Sequence, residues 1–313
     1  AHIAVLRSPT TGGVWASLAA GADVILAVSG ATVAFAGHRV RGAHAGGDSE
    51  AFTAEGKLAC GQVDQVVSEH DLPARLALAV QALPAGDGAP VAPADVPAAL
   101  GREDPPADGW TAVTGARDGA RPRARAYLDR HFEARLELSG DRAGGRDPGM
   151  LCGIGLRYGR AVAYVAQAGV ANTPAGYRTA ARVVRLADRL GLPVVTLVDT
   201  PGAANDAAAE RGAVGAAICD VFAAIAGARV PITTLVIGEG GSGGALAIAS
   251  PTDRWIAPDA YFAVIVPEAA TAILKGSDAD VPETAGRLRL RPQDLLELGI
   301  VRGIAGREGA SPA

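Results

Sequence analysis

The chain has 313 residues, room for two ordinary domains or one large α/β domain, each able to bury a core. Apolar residues make up 49% and charged residues 20%, so composition alone excludes a disordered chain. The net charge is −4, and the basic residues are scattered instead of gathered into a stripe, which argues against a nucleic-acid partner. Cys60, Cys152 and Cys219 lie far apart, without the spacing of a disulfide framework or a zinc site. They fit a reducing compartment. No apolar run approaches the roughly 20 residues that cross a bilayer, and the first residues carry no leader pattern. The expectation is a soluble cytoplasmic protein with neither a membrane nor a nucleic-acid partner.

In chain order, IAVLRS (residues 3–8) reads as a strand and TTGGVWASLAAG (10–21) as a Gly-Gly turn opening a helix. DVILAV (23–28) and ATVAFAG (31–37) read as strands, and PARLALAVQAL (73–83) as a helix. Residues 84–126, rich in Pro, Gly, Ala and Asp, show no sustained periodicity and read as a linker. Beyond it, YLDRHFEARLEL (127–138) is expected to be helical, and residues 150–167 form two strands joined at Tyr158-Gly159. A long amphipathic helix stopped by Gly191 precedes the apolar strand PVVTLVD (193–199). Strands alternating with helices indicate an α/β fold.

An internal repeat organises this pattern. Residues 2–37 and 231–267 share a strand, a Gly-Gly turn (Gly12-Gly13; Gly243-Gly244), a small-residue helix, an Asp-x-x-x-Ala (Asp23, Ala27; Asp253, Ala257) and a strand starting at Ala31 or Ala260. The reading is two related domains: 1–83 and 127–313, joined by 84–126. Roughly 80 residues that hold three strands and two helices lead into the second copy, whereas one residue precedes the first. The first domain is therefore expected to lack its front half, the chain being a fragment or receiving that half from another chain.

A Gly-Gly turn opening a helix presents amides with no intrahelical partner, suited to an anion or a developing oxyanion. The loop VDTPGAANDAAAERG (198–212) follows an apolar strand, where α/β sheets place ligands. Within it Asp199 is expected to be a turn or cap residue bonding backbone amides, and Glu210 and Arg211 a solvated pair. Of the histidines, none at metal-ligand spacing, only His38, which follows the first repeat's last strand, is placed to border that repeat's site. Ser242 sits in a G-G-S-G-G resembling a nucleophile elbow, but no histidine follows position 131, which excludes a self-contained triad there.

The stretches GDRAGGRDPGMLCGIGLRYGRAVAYVA, TPAGYRTAARVVRLADRLGLPVVTLVDTPGA and GEGGSGGALAIA closely resemble the α subunit of acetyl-CoA carboxylase carboxyltransferase, and SPTTGGVWASLAAGADVILAVSGATVAFAGHRV resembles the later part of its β subunit. The resemblance implies a β–α fusion with two crotonase-like (ClpP/crotonase) domains of repeated ββα units. It implies carboxyl transfer from carboxybiotin to the enolate of an acyl-CoA. Gly12 and Gly13 would then serve the acyl-CoA oxyanion hole, and Gly202, Ala203, Gly243 and Gly244 the biotin hole. Thr11, Gly37, His38, Arg39, Pro201, Gly241, Ser242 and Ala245 would line the substrates. Partners implied are a biotin carboxyl carrier protein, biotin carboxylase, and either further copies of the chain or a chain supplying the missing half. With Met150 the only methionine and Lys57 and Lys275 the only lysines, no Ala-Met-Lys-Met biotinylation sequence exists here, so biotin would arrive on a separate carrier. The β subunit's zinc ribbon and Ser-Gly-Gly-Ala-Arg turn are not in this sequence, and no metal is expected. The α subunit's basic loop is contracted to AQAGVANTP, and its Tyr-Pro-Gly is replaced at Ala204-Asn205-Asp206. Two other readings use the same residues: a decarboxylase of a malonyl-type thioester, and a non-catalytic scaffold subunit of a carboxylase complex.

Overall fold

The computed structural model describes residues 1–37, 48–83 and 90–308. In the first part, β1 (Ile3–Leu6), β3 (Val24–Val28) and β5 (Gln65–Val67) form a parallel sheet in the order β1-β3-β5. The short β2 (Thr10–Thr11) and β4 (Val33–Ala34) pair separately. Gly12, at φ 61°, turns the chain into Val14–Ala19, which winds as a wide π-type turn where an ordinary helix was expected. α1 (Ala54–Ala59) precedes β5, and α2 (Leu72–Ala82) follows it.

The expected linker holds regular structure. α3 (Gly109–Ala116) is capped by Asp108, whose carboxylate accepts from the Thr111 amide, and buries Ala112, Val113 and Ala116. α4 (Ala124–His131) follows, and the single helix expected over 127–138 ends there. Phe132 is extended, and β6 (Ala134–Glu137) pairs antiparallel with β7 (Met150–Arg157). The cause is local: in Arg-Leu-Glu-Leu, the buried Leu136 and Leu138 alternate with Arg135 and Glu137, the period of a strand.

β7 and β8 (Arg160–Gln167) form the expected hairpin at Tyr158-Gly159. α5 (Pro174–Leu190) stops where Gly191 takes φ 67° and donates to Ala187 and Asp188. After β9 (Val194–Thr200) come α6 (Ala207–Arg211), α7 (Val214–Gly227) and β10 (Ile232–Gly241). Beyond α8 (Ser242–Leu246) are β11 (Arg254–Ile256), β12 (Tyr261–Ala263), α9 (Pro267–Ile273), α10 (Val281–Arg287), α11 (Pro292–Glu297) and β13 (Gly303–Ile304). The large sheet runs β13-β11-β10-β9-β8-β7-β6, with β12 also pairing β10. Its middle strands are buried throughout, as continuous apolar runs on a parallel sheet require.

The repeat recurs as pairing. β10 meets β11 early and β12 late, and β11 meets β13; in the first part β1 meets β3, β2 meets β4 and β3 meets β5. One apolar core runs through both parts. At their junction the fully buried Asp64 carboxylate accepts from the amides of Ile25 (2.8 Å) and Ser139 (3.0 Å) and pairs with Arg182 (3.0 Å) and Arg142. No helix among the described residues is long and apolar enough to cross a membrane.

Candidate active site

β9 and β10 lie side by side and parallel, so the turns after them leave the same end of the sheet. After β9, Thr200 Oγ1 accepts from the Gly202 amide at 3.1 Å and donates to Val170 O at 2.8 Å, while Gly202 O accepts from the Asn172 amide. Gly202 itself takes φ 145°. After β10, Ser242 takes φ 66° and starts α8. A β-carbon on Gly241 would lie 2.6 Å from Pro201 O; one on Gly244 would lie 2.6 Å from Ala203 N and 2.9 Å from the Gly202 carbonyl carbon. The two turns thus touch, and glycine at these positions is what lets them.

The structure brings Pro201, Gly202, Ala203, Gly241, Ser242, Gly243, Gly244 and Ala245 into one cluster. Among the described residues no group accepts from the amides of Ala203, Gly243 or Gly244, whereas Gly202 spends its amide on Thr200. A β-carbon on Gly243 would meet nothing within 4 Å, so that side of the residue faces open space. In the first part Gly12 donates to Ala34 O at 3.2 Å and shapes its turn, leaving Gly13 as the amide without an acceptor. Thr11 sits in the β2–β4 ladder and Gly37 is half-buried beyond it. His38 and Arg39 lie outside the described residues. Gly12 and Gly13 flank a different sheet from the second cluster.

Behind the turns stands a polar layer that the sequence reading missed. Gln167 Nε2 donates to Gly244 O at 2.9 Å, and Tyr177 Oη abuts Gly244. Gln167 Oε1, Asn172 Oδ1 and Tyr177 Oη are buried without a partner. Burial, then the nearby Asp147 charge, pushes the Tyr177 phenol above its ordinary range, so it stays protonated and able to donate. Asp199, expected in a turn, lies instead inside β9, fully buried and paired with Arg121 at 2.6 Å and Arg123 at 3.2 Å. Its one amide bond is from Glu239, at 3.2 Å. Arg117 joins Glu239 to Glu268; those bonds raise its guanidinium pKa although burial opposes them. Glu210 and Arg211 are both exposed.

A cavity of about 1120 Å³ opens elsewhere, between the β5–α2 segment and β6–β7. The turns, with their unpaired donors at strand carboxyl ends, where α/β sheets place ligands, do not line that cavity. No group of three or more His, Cys, Asp or Glu side chains gathers among the described residues as a metal site would require. The chain provides main-chain donors for oxygens carrying negative charge, a constellation suited to enolate and acyl-transfer chemistry.

Known proteins share both fold and sequence with this chain. Solved structures similar to it include one titled as transcarboxylase 12S (TM-score 0.77, 22% identity, covering 97% of this chain and 62% of that one). Another is titled as a single-chain, multi-domain long-chain acyl-CoA carboxylase (TM-score 0.76, 18% identity, covering 97% of this chain and 31% of that one). The fold is therefore crotonase-like, of the kind found in carboxyltransferase domains. A family model described as acetyl co-enzyme A carboxylase carboxyltransferase-like matches residues 107–310. The carboxyl transferase subunits beta/alpha of acetyl-coenzyme A carboxylase from Salinispora arenicola are 40% identical over 324 residues, covering 96% of this chain and 57% of the relative. The corresponding subunit alpha from Deinococcus radiodurans is 42% identical over 208 residues, covering 62% of this chain and 66% of the relative. The chain belongs to the acetyl-CoA carboxylase carboxyltransferase-like family, and it spans little more than half the length of the beta/alpha relatives it matches.

Proposed function

We propose that this chain is the carboxyltransferase component of a biotin-dependent acyl-CoA carboxylase. The observation that carries the reading is the pair of touching turns with unpaired amides at Ala203, Gly243 and Gly244, with room for a ligand on the Cβ side of Gly243. These donors fit the ureido oxygen of biotin presented by a carrier protein, and Pro201, Gly241, Ser242 and Ala245 shape the walls. Carboxybiotin supplies the carboxyl group there. Gly13 N–H, held in place by the Gly12–Ala34 bond, is the donor for the thioester oxygen of the acyl-CoA. As the α-carbon loses its proton, negative charge moves to that oxygen; a preorganised donor is worth about 3–4 kcal/mol at this stage. The α-carbon would then bond to the carboxyl carbon as the ureido N–C bond of carboxybiotin breaks, the proton taken from the α-carbon ending on that ureido nitrogen.

Because Gly13 and the second cluster flank different sheets, the reading includes self-association that brings one copy's first part to another's second part. Phe35 (74% exposed), Val264 (74%) and Ile273 (71%) are apolar surfaces available for it. The domain division at 1–83 and 127–313 is retained as part of the proposal, with α3 and α4 counted as the second domain's lead-in. Three free cysteines suit the reducing cytoplasm proposed as its location.

The test is decarboxylation of malonyl-CoA with and without biocytin as acceptor. Biocytin-dependent formation of acetyl-CoA is the expected result. Turnover independent of biocytin would replace the reading with a decarboxylase, and absence of acyl-CoA binding by calorimetry would replace it with a scaffold.

A further inference from the structure

We infer that Arg121 is a positioning residue, setting the gap between the 200–203 and 242–245 turns through Asp199 and β10. The ladder between β9 and β10 keeps register through Val236, shifts, and resumes at Gly240 with Thr200. A shift of this kind leaves backbone groups without ladder partners. Here the Arg121–Asp199 pair supplies them: Arg121 Nη1 donates to Ile237 O at 2.8 Å, and Asp199 Oδ1 accepts from the Glu239 amide at 3.2 Å. Arg121 Nη2 reaches Asp199 Oδ1 at 2.6 Å, and its Nε holds Ala116 O, the end of α3, at 2.8 Å. Neither side chain reaches water, with 3% of Arg121 and none of Asp199 exposed.

The surrounding sequence makes room for this arrangement. A β-carbon on Gly238 would strike both the Arg121 guanidinium and the Asp199 carboxylate, and one on Gly169 would strike Arg123. A buried ion pair is a weak source of net stability, since desolvating two charges offsets their attraction. An apolar pair would fill the space as well. The guanidinium instead offers direction: its N–H groups lie in one plane at fixed angles and here engage three separate segments. Asp199 is three residues before Gly202 and Ile237 six before Gly243, so one planar group fixes the strand ends from which both sets of free amides depart. Sequence separation hid this, for Arg121 and Asp199 are 78 residues apart.

The experiment compares the full chain with Arg121→Met and Arg121→Lys by hydrogen exchange read peptide by peptide, alongside kinetics. In Arg121→Met, peptides covering 198–205 and 237–247 are expected to exchange about tenfold faster, while β7–β8 peptides keep their rates. Arg121→Lys, which reaches Asp199 but cannot span all three acceptors, should fall between. The kinetic part rests on the carboxyltransferase reading: kcat should drop about 100-fold with the KM for acyl-CoA nearly unchanged, because that donor lies on the other sheet. Loss of protection spread evenly over the sheet, or unaltered exchange at both turns, would overturn the inference. Should Arg121→Met not fold, Asp199→Asn, which keeps an acceptor for Glu239, is expected to show the same local signature, and its absence there overturns the inference equally. A wild-type chain without turnover counts against the carboxyltransferase reading alone, since the exchange pattern still decides the role of Arg121.

Discussion

Adjacent glycines in α8 should respond oppositely to the same methyl group. A β-carbon on Gly244 would lie 2.6 Å from Ala203 N and 2.9 Å from the Gly202 carbonyl carbon, with Tyr177 Oη closing a third side. Ordinary non-bonded contacts to carbon lie about 3.5–4.0 Å apart, so Gly244→Ala must push the two turns apart by roughly 1 Å. Overpacking of this kind costs about 1–3 kcal/mol, and a displacement of that size at a catalytic donor costs about 100-fold in rate. At Gly243 the same methyl meets nothing within 4 Å and φ lies outside the left-handed region, so Gly243→Ala should be neutral or stabilising by about 0.4–1 kcal/mol. The bulkier Gly243→Val would fill ligand space and lose rate without losing stability. Thermal unfolding and biocytin-dependent turnover, measured on all three variants, separate the cases. A Gly244→Ala protein with wild-type Tm and rate would refute the claim that the turns are set by contact at that atom.

Other outcomes follow from buried polar groups. His131 is 5% exposed with Nε2 unpartnered, and burial, followed by the Arg157 charge and opposed by Asp95, lowers its pKa to about 4. Between about 4 and 6.5 the unfolded chain therefore binds more protons, so this contribution is complete above about pH 6.5 and declines on acidification, by roughly 2 kcal/mol at pH 5. Urea midpoints at pH 7.5 and 5 should converge in His131→Gln; identical pH slopes in the two proteins would contradict the assignment. Tyr177→Phe removes a hydroxyl with no protein partner and should leave stability unchanged or raise it by up to about 1 kcal/mol, a clear loss in urea melts being the opposing result. Asp64→Ala strands Arg142 and Arg182 at the junction and should cost about 3–5 kcal/mol in the same assay, whereas a cost under 1 would show the node to be idle.

Features with a local signature were readable from sequence. Glycine strings announced both turns, Gly191 announced the end of α5, and Tyr158-Gly159 announced the β7–β8 hairpin. The repeat was visible because its landmarks recur in order. Other features depend on partners distant in the chain. Which amide stays free is decided by Thr200 Oγ1 and Ala34 O, so Gly202 and Gly12 looked equivalent to Gly243 and Gly13 until the folded contacts were seen. The Arg-Pro-Arg-Ala-Arg run that starts at Arg121 reads as a solvated linker because nothing local reveals that its guanidinium enters the sheet. Asp199 looked like a turn residue for the same reason. The period-two pattern of β6 is only four residues long and was overridden by the helical run before it.

The Asp64 node also bears on how the molecule moves. Its carboxylate holds a strand amide from the first part, a loop amide from the second and two guanidiniums across the boundary. A clamshell motion would strip Ser139, Arg142 and Arg182 from a charge that water does not reach, leaving only the Ile25 amide, a far steeper penalty than bending a surface loop. The boundary between the parts is a weld, not a hinge. Ligands must therefore be admitted by loops at the strand ends or by rearrangement against neighbouring molecules, with both parts travelling as one rigid block.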